Sequence, residues 1–173
     1  MDVAFLVSKE GIEQAELTEP WKAVEHAGHT PRLISPRPGR VQAFQHLERA
    51  DTFEVDITAA DARPADYAAL VLPGGVANGD LLRWQQTAVE FVRGFAATGR
   101  PIAVICHGGW ILIETGTVTG RRLTSWPSLQ TDYRNAGANW TDEEVVVDGN
   151  LISSRKPHDL PAFCKELVEA LAT

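Results

Sequence analysis

Arg100-Pro-Ile-Ala-Val-Ile-Cys106-His107-Gly108-Gly109-Trp110-Ile-Leu-Ile113 is the stretch that decides how the rest of the chain reads. Ile102 to Cys106 is a short apolar run without a polar interruption, the pattern of a strand buried on both faces of a parallel sheet. It gives way at once to His107-Gly108-Gly109 and then to a second apolar run, Trp110 to Ile113, which reads as a buried helix. Cys106 therefore falls at a sharp strand-to-helix turn that Gly108 permits, the geometry of a nucleophile elbow. A helix N-terminus carries free N–H groups and partial positive charge, which predicts a thiolate at Cys106. A cysteine that merely filled core space would have no use for a polar, glycine-flanked turn.

Outward from this turn the chain alternates strand and helix. Val3 to Val7 is a compact apolar run, ended by the polar turn Ser8-Lys9-Glu10-Gly11. The spacing of Trp21, Val24 and Ala27 predicts a helix that begins near Thr18, because Pro20 cannot sit deep inside one. Glu16 is expected in the turn after the first strand or in that helix's first residues. Pro31 to Ser35 reads as a strand, and Val41 to Ile57 as short, partly exposed strands that include a hairpin. Tyr67 to Leu72 is another buried strand, ended by Pro73-Gly74-Gly75. Helical spacing runs from Leu81 to Thr98, and Gly99 stops it. After the elbow helix come a strand and turn at Leu123–Pro127, a helix from Ser128 to Ala136, and a hairpin turning at Asp148-Gly149-Asn150. Asp159 then reads as the N-cap of a last amphipathic helix, whose apolar face carries Leu160, Phe163, Cys164, Leu167 and Leu171. The alternation predicts one domain, residues 1–173, with a mostly parallel sheet covered by helices on both sides. Sites in such sheets lie at the carboxyl ends of strands, where Glu16, Gly74, Gly75 and Cys106 all fall.

The charge balance excludes several classes. With 16 basic and 23 acidic residues the net charge is −7, which argues against nucleic acid or an anionic membrane as partner. The first residues lack a basic stretch and a long apolar run, so no signal peptide is read, and no segment is apolar enough for a membrane span. Two cysteines without a leader suggest reduced thiols in a cytoplasm. His26, His29 and His46 have no metal-ligand spacing.

Three pieces suit one chemistry. Gly74-Gly75 leaves backbone N–H groups open, as an oxyanion site requires, although a tight turn alone would explain the glycines equally well. Glu16 could hydrogen-bond the Cys106 sulfur or exchange a proton with it. His107 follows directly in sequence, and adjacent side chains rarely face each other, so its part as a base stays open. His158 is a candidate for the pocket edge. Cys164, on an apolar stripe, reads as packing.

The residues carry a resemblance over essentially the whole length. Glu13-Gln-Ala-Glu16-Leu-Thr-Glu-Pro20, Leu70-Val-Leu-Pro-Gly74-Gly75, Ala103-Val-Ile-Cys106-His107-Gly108, Thr124-Ser125-Trp126-Pro127, Asn135-Ala-Gly137 and Ser153-Ser-Arg155 together resemble the DJ-1/PfpI family, within the class I glutamine amidotransferase-like superfamily. The His after Cys places the resemblance nearer the PfpI branch than eukaryotic DJ-1. It implies a flavodoxin-like α/β/α sandwich with Cys106 as nucleophile and Glu16 protonated against its sulfur. The backbone N–H groups of Gly75 and His107 would form the oxyanion site, and Glu13 and Trp126 would line the pocket mouth. The implied activities are a glyoxalase or deglycase acting on dicarbonyls or glycated substrates, or an intracellular cysteine peptidase. Neither needs a metal or an organic cofactor, and the implied assembly is a homodimer or homohexamer. A non-enzymatic redox sensor or chaperone built on Cys106 oxidation is the alternative from another class. Two positions depart from the family pattern. Gln86 stands where a partner-subunit Glu is proposed to orient the His in peptidase-like members. Gly109 replaces the Pro often found after Cys-His-Gly, which predicts a looser helix start.

Overall fold

The structure, a computed structural model, describes residues 1–173. In chain order its elements are β1 (Asp2–Leu6), β2 (Glu10–Glu13), α1 (Gln14–His26), β3 (Thr30–Ser35), β4 (Arg40–Gln45), β5 (Glu48–Glu54), β6 (Ile57–Thr58), β7 (Ala69–Leu72), α2 (Val76–Arg83), α3 (Gln86–Ala96), β8 (Ile102–Ile105), α4 (Trp110–Glu114), β9 (Arg122–Leu123), α5 (Gln130–Asn135), β10 (Asn139–Trp140), β11 (Val145–Asp148), β12 (Leu151–Ser154) and α6 (Leu160–Leu171). Seven strands form the central sheet in the order β11-β12-β8-β7-β1-β3-β6. All its pairings are parallel except the β11–β12 hairpin at one edge.

The central strands are buried on both faces, so consecutive residues serve opposite layers. Ala4, Leu6, Leu70, Leu72, Ile102 and Val104 pack with α3 and α4 through Ala88, Phe91, Phe95, Ile111 and Leu112. Val3, Phe5, Val71, Ala103 and Ile105 face α1 and α6 through Leu17, Val24, Phe163 and Leu167. This is the expected three-layer α/β/α arrangement with a mostly parallel sheet. A small sheet, β2-β4-β5, stands beside it, and β9 pairs with β10. No helix is long and apolar enough to cross a membrane.

Several local expectations are corrected. Helix α1 begins at Gln14, not near Thr18, and Pro20 lies inside it. Pro20 has no N–H to donate to the Glu16 carbonyl one turn back, and burial of Pro20 beside Leu17 and Val24 offsets that loss. Glu10–Glu13, read as a turn and helix lead-in, pairs parallel to β4. The helical stretch from Leu81 onward is two helices: the chain becomes extended at Gln85 (ψ 110°), while Leu82, Ala88 and Phe91 still reach one core. Asp159 does not cap α6 with its side chain. Its buried carboxylate accepts from the Arg155 backbone N–H (3.1 Å) and from Arg155 Nε (2.9 Å) and Nη2 (3.0 Å). The Val145–Ser154 hairpin and the β4–β5 hairpin form as read, the latter turning at His46 and Leu47.

Candidate active site

The elbow is built by close approach. Ile105 is extended (φ −133°) and Cys106 turns to φ 61°, a left-handed conformation that a non-glycine residue holds only under constraint from its surroundings. Residues Cys106–Gly109 form one 3-10 turn, and α4 follows. A Cβ at Gly108 would lie 2.5 Å from the Pro73 carbonyl, and one at Gly79 would lie 2.3 Å from the His107 carbonyl. The end of β7 and the first turn of α2 therefore grip the elbow from two sides through glycines.

Asn78 locks this grip. Its buried amide donates to the carbonyls of Pro73 (3.0 Å) and Gly74 (3.2 Å), while its Oδ1 accepts the Ser8 N–H (2.7 Å) at the end of β1. Nothing in the sequence pattern marked Asn78, which reads as one polar residue in a helix start. Asn78→Ala would strand the buried Ser8 N–H and the Pro73 carbonyl, while the Gly74 carbonyl keeps the Glu13 N–H (3.2 Å), so it is expected to cost about 2–3 kcal/mol, read from the midpoint of urea unfolding.

Four residues converge here. Cys106 is 8% exposed and Glu16, in the first turn of α1, is 0% exposed. Both Glu16 carboxyl oxygens are buried without a hydrogen-bond partner at bonding geometry, although the Cys106 thiol and the Gly74 N–H lie against them. A Cβ at Gly74 would come 2.1 Å from Glu16 Oε2 and 2.6 Å from Cys106 Cβ, so glycine here is what lets the carboxyl reach the sulfur. Cys106 Sγ lies 3.2 Å from His107 Nδ1. The two adjacent side chains do face each other, because the left-handed turn at Cys106 rotates one toward the other. The imidazole is in turn held between Trp110 (centroids 5.3 Å) and Trp126 (5.8 Å, 26° between planes).

The electrostatics follow from burial. Desolvation, then the charge of Glu13, pushes the Glu16 carboxyl up to about 8, so it carries its proton at neutral pH. Burial, then the charge Glu16 would carry, pushes the Cys106 thiol up as well, against the pull of the Gly75 and His107 N–H groups. The resting thiolate expected from a helix N-terminus is thereby corrected: one 3-10 turn followed by five helical residues supplies too little field to offset burial. Burial lowers His107, which rests as neutral imidazole able to accept a proton.

Glu16 also links pH to stability. Between its ordinary value of 4.5 and about 8, the folded chain keeps a proton that the unfolded chain has released. Stability from this group therefore falls as pH rises through that window, by about 1.4 kcal/mol per unit. Glu16→Gln is expected to flatten the slope and be more stable than the parent at pH 8, as read by thermal or urea unfolding across pH.

A cavity of about 600 Å³ opens over these groups. Its lining includes Glu13, Glu16, Gly75, Cys106, His107 and Trp126. Gly74 and Gly108 lie behind it and shape the elbow. His158 is exposed and does not line the cavity; Pro157 does. The Glu13 carboxylate accepts the His46 N–H at 3.1 Å and so ties the β4–β5 turn to the mouth. That turn brings in His46 and Leu47, the end of β4 brings in Phe44, and α2 brings in Asp80, none of them marked by the sequence pattern. No three His, Cys, Asp or Glu side chains converge as metal ligands.

The DJ-1/PfpI family model matches residues 1–170. The chain belongs to the DJ-1/PfpI family. Among its relatives, the deglycase PfpI of Pyrococcus furiosus is 39% identical, over 99% of both chains. A putative cysteine protease, YraA of Bacillus subtilis, is 37% identical over 98% of this chain and 97% of its own. Among solved structures, Drosophila melanogaster DJ-1beta superposes with a TM-score of 0.89 at 25% identity, covering 99% of this chain and 90% of that one. A two-domain protein of Anabaena variabilis with DJ-1/ThiJ/PfpI-like and ferritin-like domains gives 0.92 at 31% identity over 99% of this chain. The chain spans half of that protein's length.

Proposed function

We propose that this DJ-1/PfpI family member is a hydrolase-type enzyme that converts small reactive dicarbonyls, free or as adducts of amines, to hydroxy acids through Cys106. The observation that carries this is the Cys106–His107 contact at 3.2 Å beside the fully buried Glu16 carboxyl at the floor of the cavity, whose burial favours its neutral form. The deglycase names among the relatives support it.

With methylglyoxal, His107 Nδ1 takes the thiol proton while sulfur bonds to the aldehyde carbon. The resulting oxyanion lies by the Gly75 and His107 N–H groups and recovers the proton from His107 as a hemithioacetal. His107 then removes the hydrogen on that carbon, and neutral Glu16 protonates the neighbouring ketone oxygen, giving an enediol. Return of the His107 proton to the second carbon, and of the first hydroxyl's proton to Glu16, leaves a lactoyl thioester. Water cleaves it to lactate and free thiol. An amine adduct joins the same path when sulfur displaces the amine. In sum, methylglyoxal and one water become lactic acid, with one carbon oxidised and its neighbour reduced.

The test is lactate formation from methylglyoxal by the purified protein with no glutathione or metal added. Appearance of lactate supports the reading. Absence of lactate together with cleavage of denatured protein substrates would replace it with the peptidase reading that one relative's name suggests. Gln86 weighs against that outcome: it is an exposed amide bonded to Glu90 (2.8 Å) and supplies no charge.

A further inference from the structure

A second cavity, of about 160 Å³, opens beside the carboxyl ends of β1 and β3, against the junction of α2 and α3. It shares no lining residue with the cavity over Cys106. Ser8, Lys9, Arg37, Leu81, Trp84 and Gln85 stand on its walls, and no Asp or Glu does. Ser8 is 2% exposed, and its hydroxyl has no hydrogen-bond partner in the protein. Strand alternation gives its direction. Leu6 packs in the α3–α4 layer and Val7 in the α1–α6 layer, so Ser8 turns back to the side of α3, where the cavity lies. A hydroxyl so deeply set calls for a partner, and the cavity is where one can stand. Other donors gather around it. Lys9 has only Glu10 at 3.7 Å, in an exposed pair of little worth. Arg37, exposed in the loop after β3, is paired with no carboxylate. Gln85, the residue before α3, gives the first turn of that 11-residue helix no side-chain hydrogen bond, and no acidic residue lies in that turn. Free N–H groups and partial positive charge therefore begin at the cavity wall.

We infer that this cavity binds a phosphoryl group, that of a small phosphate monoester or of inorganic phosphate, separately from the chemistry at Cys106. Every polar feature that converges there donates: a deep-set hydroxyl, an ammonium, a guanidinium suited to bidentate contact with phosphate, and a helix N-terminus. A chain of net charge −7 repels anions from most of its surface, so a cavity with two cations and no carboxylate is a local reversal of sign. The Ser8 backbone is fixed by its N–H bond to Asn78 Oδ1 (2.7 Å), so the hydroxyl is presented from a rigid point. The volume admits a phosphoryl group and a short carbon chain and is too small for a nucleotide. Leu81 and Trp84, the latter 69% exposed, supply an apolar wall for that chain.

The test is isothermal titration calorimetry on the full-length protein, with glycerol 3-phosphate and inorganic phosphate as probes. It is run at about pH 7.5, where a phosphate monoester is largely dianionic, in phosphate-free buffer of constant ionic strength. One glycerol 3-phosphate per chain is expected, with Kd on the order of 0.1–1 mM. Ser8→Ala removes the hydroxyl and keeps the backbone bond to Asn78; it is expected to weaken binding about fivefold or more. Arg37→Ala is expected to weaken it about five- to tenfold, and Arg37→Lys to recover part of that loss. Tighter binding of glycerol 3-phosphate than of inorganic phosphate, by about threefold and lost in Trp84→Ala, identifies the monoester as the ligand. Equal affinity for the two probes identifies inorganic phosphate, with the phosphoryl site standing. Heat that fails to saturate below about 20 mM of either probe overturns the inference. So does an affinity indifferent to Ser8→Ala or to Arg37→Ala, since the phosphate is then held elsewhere. If Ser8→Ala does not fold, the exposed Arg37 and its two variants decide the matter alone.

Discussion

Cys106→Ser is expected to abolish lactate formation, lowering kcat/KM by about 10⁴-fold or more, with the fold intact. Serine is nearly the same size, tolerates the same left-handed turn and still faces His107 Nδ1. What it lacks is acidity. Burial already pushes the thiol up, and the same site would push an alcohol, whose ordinary value is far higher, beyond what a neutral imidazole can deprotonate. The activity of the parent should depend on pH in a way that names its partners. In the proposed path, loss of the Glu16 proton removes the acid that serves the ketone oxygen, so kcat/KM is expected to decline above about pH 8. Protonation of His107 removes the base on the acid side, and because burial lowers this group, activity should persist below the ordinary histidine range. Glu16→Gln should abolish the alkaline limb and lower kcat by about 10²–10³-fold. A Cys106→Ser protein that retains a tenth of parental turnover, or an alkaline limb unchanged in Glu16→Gln, would remove these residues from the assigned roles.

The sequence made the frame legible because its signals were local. Unbroken apolar runs at Val3–Val7, Tyr67–Leu72 and Ile102–Ile105 can only be strands covered on both faces, and the change at Cys106-His107-Gly108 marks the elbow. The contents of the cavity were another matter. Asp80 looks like any solvated helix residue, and Phe44, His46 and Leu47 like a hairpin tip; the placement of that tip at the cavity depends on where β2-β4-β5 stands beside the main sheet, a long-range fact with no local signature. Glu16 was expected to be protonated and is, but the ionisation state of Cys106 was misread for a related reason. A helix N-terminus after Cys106 suggested a thiolate, but the sign of the shift depends on how deeply Glu16 and Cys106 are buried together, and burial of a pair is a property of packing. Asp159 shows the same limit in reverse: the capping pattern was present, yet Arg155 four residues earlier offered the carboxylate a stronger partner.

Gly109 yields the second large effect. In place of a loose helix start, the structure has a filled one: Gly109 is buried at φ −85°, and a Cβ there would fall 1.6 Å from the Tyr133 hydroxyl and 3.0 Å from its Cζ. Tyr133, fully packed from α5, occupies the space that a side chain after Cys-His-Gly would need. Backbone conformation at Gly109 suits any residue, so the obstacle is the Tyr133 side chain, its hydroxyl first and then the ring carbon that bears it. Gly109→Ala is expected to cost about 2–3 kcal/mol, since neither the elbow nor a buried ring yields easily. It should also lower kcat/KM by up to about 10²-fold, because a shift of the turn carries Cys106 and His107 away from each other. Tyr133→Phe removes the worst clash and leaves the ring carbon at 3.0 Å, which a few tenths of an ångström of ring movement relieves. In that background the same Ala substitution should cost under about 1 kcal/mol, and the smaller conformational entropy of an unfolded Ala offsets part of the remainder. The double-mutant cycle, followed by urea unfolding and turnover together, therefore carries a coupling of about 2 kcal/mol. Equal costs in the two backgrounds would mean that Tyr133 does not dictate glycine at position 109, and that the elbow's tolerance is set from the side of β7 and α2 instead.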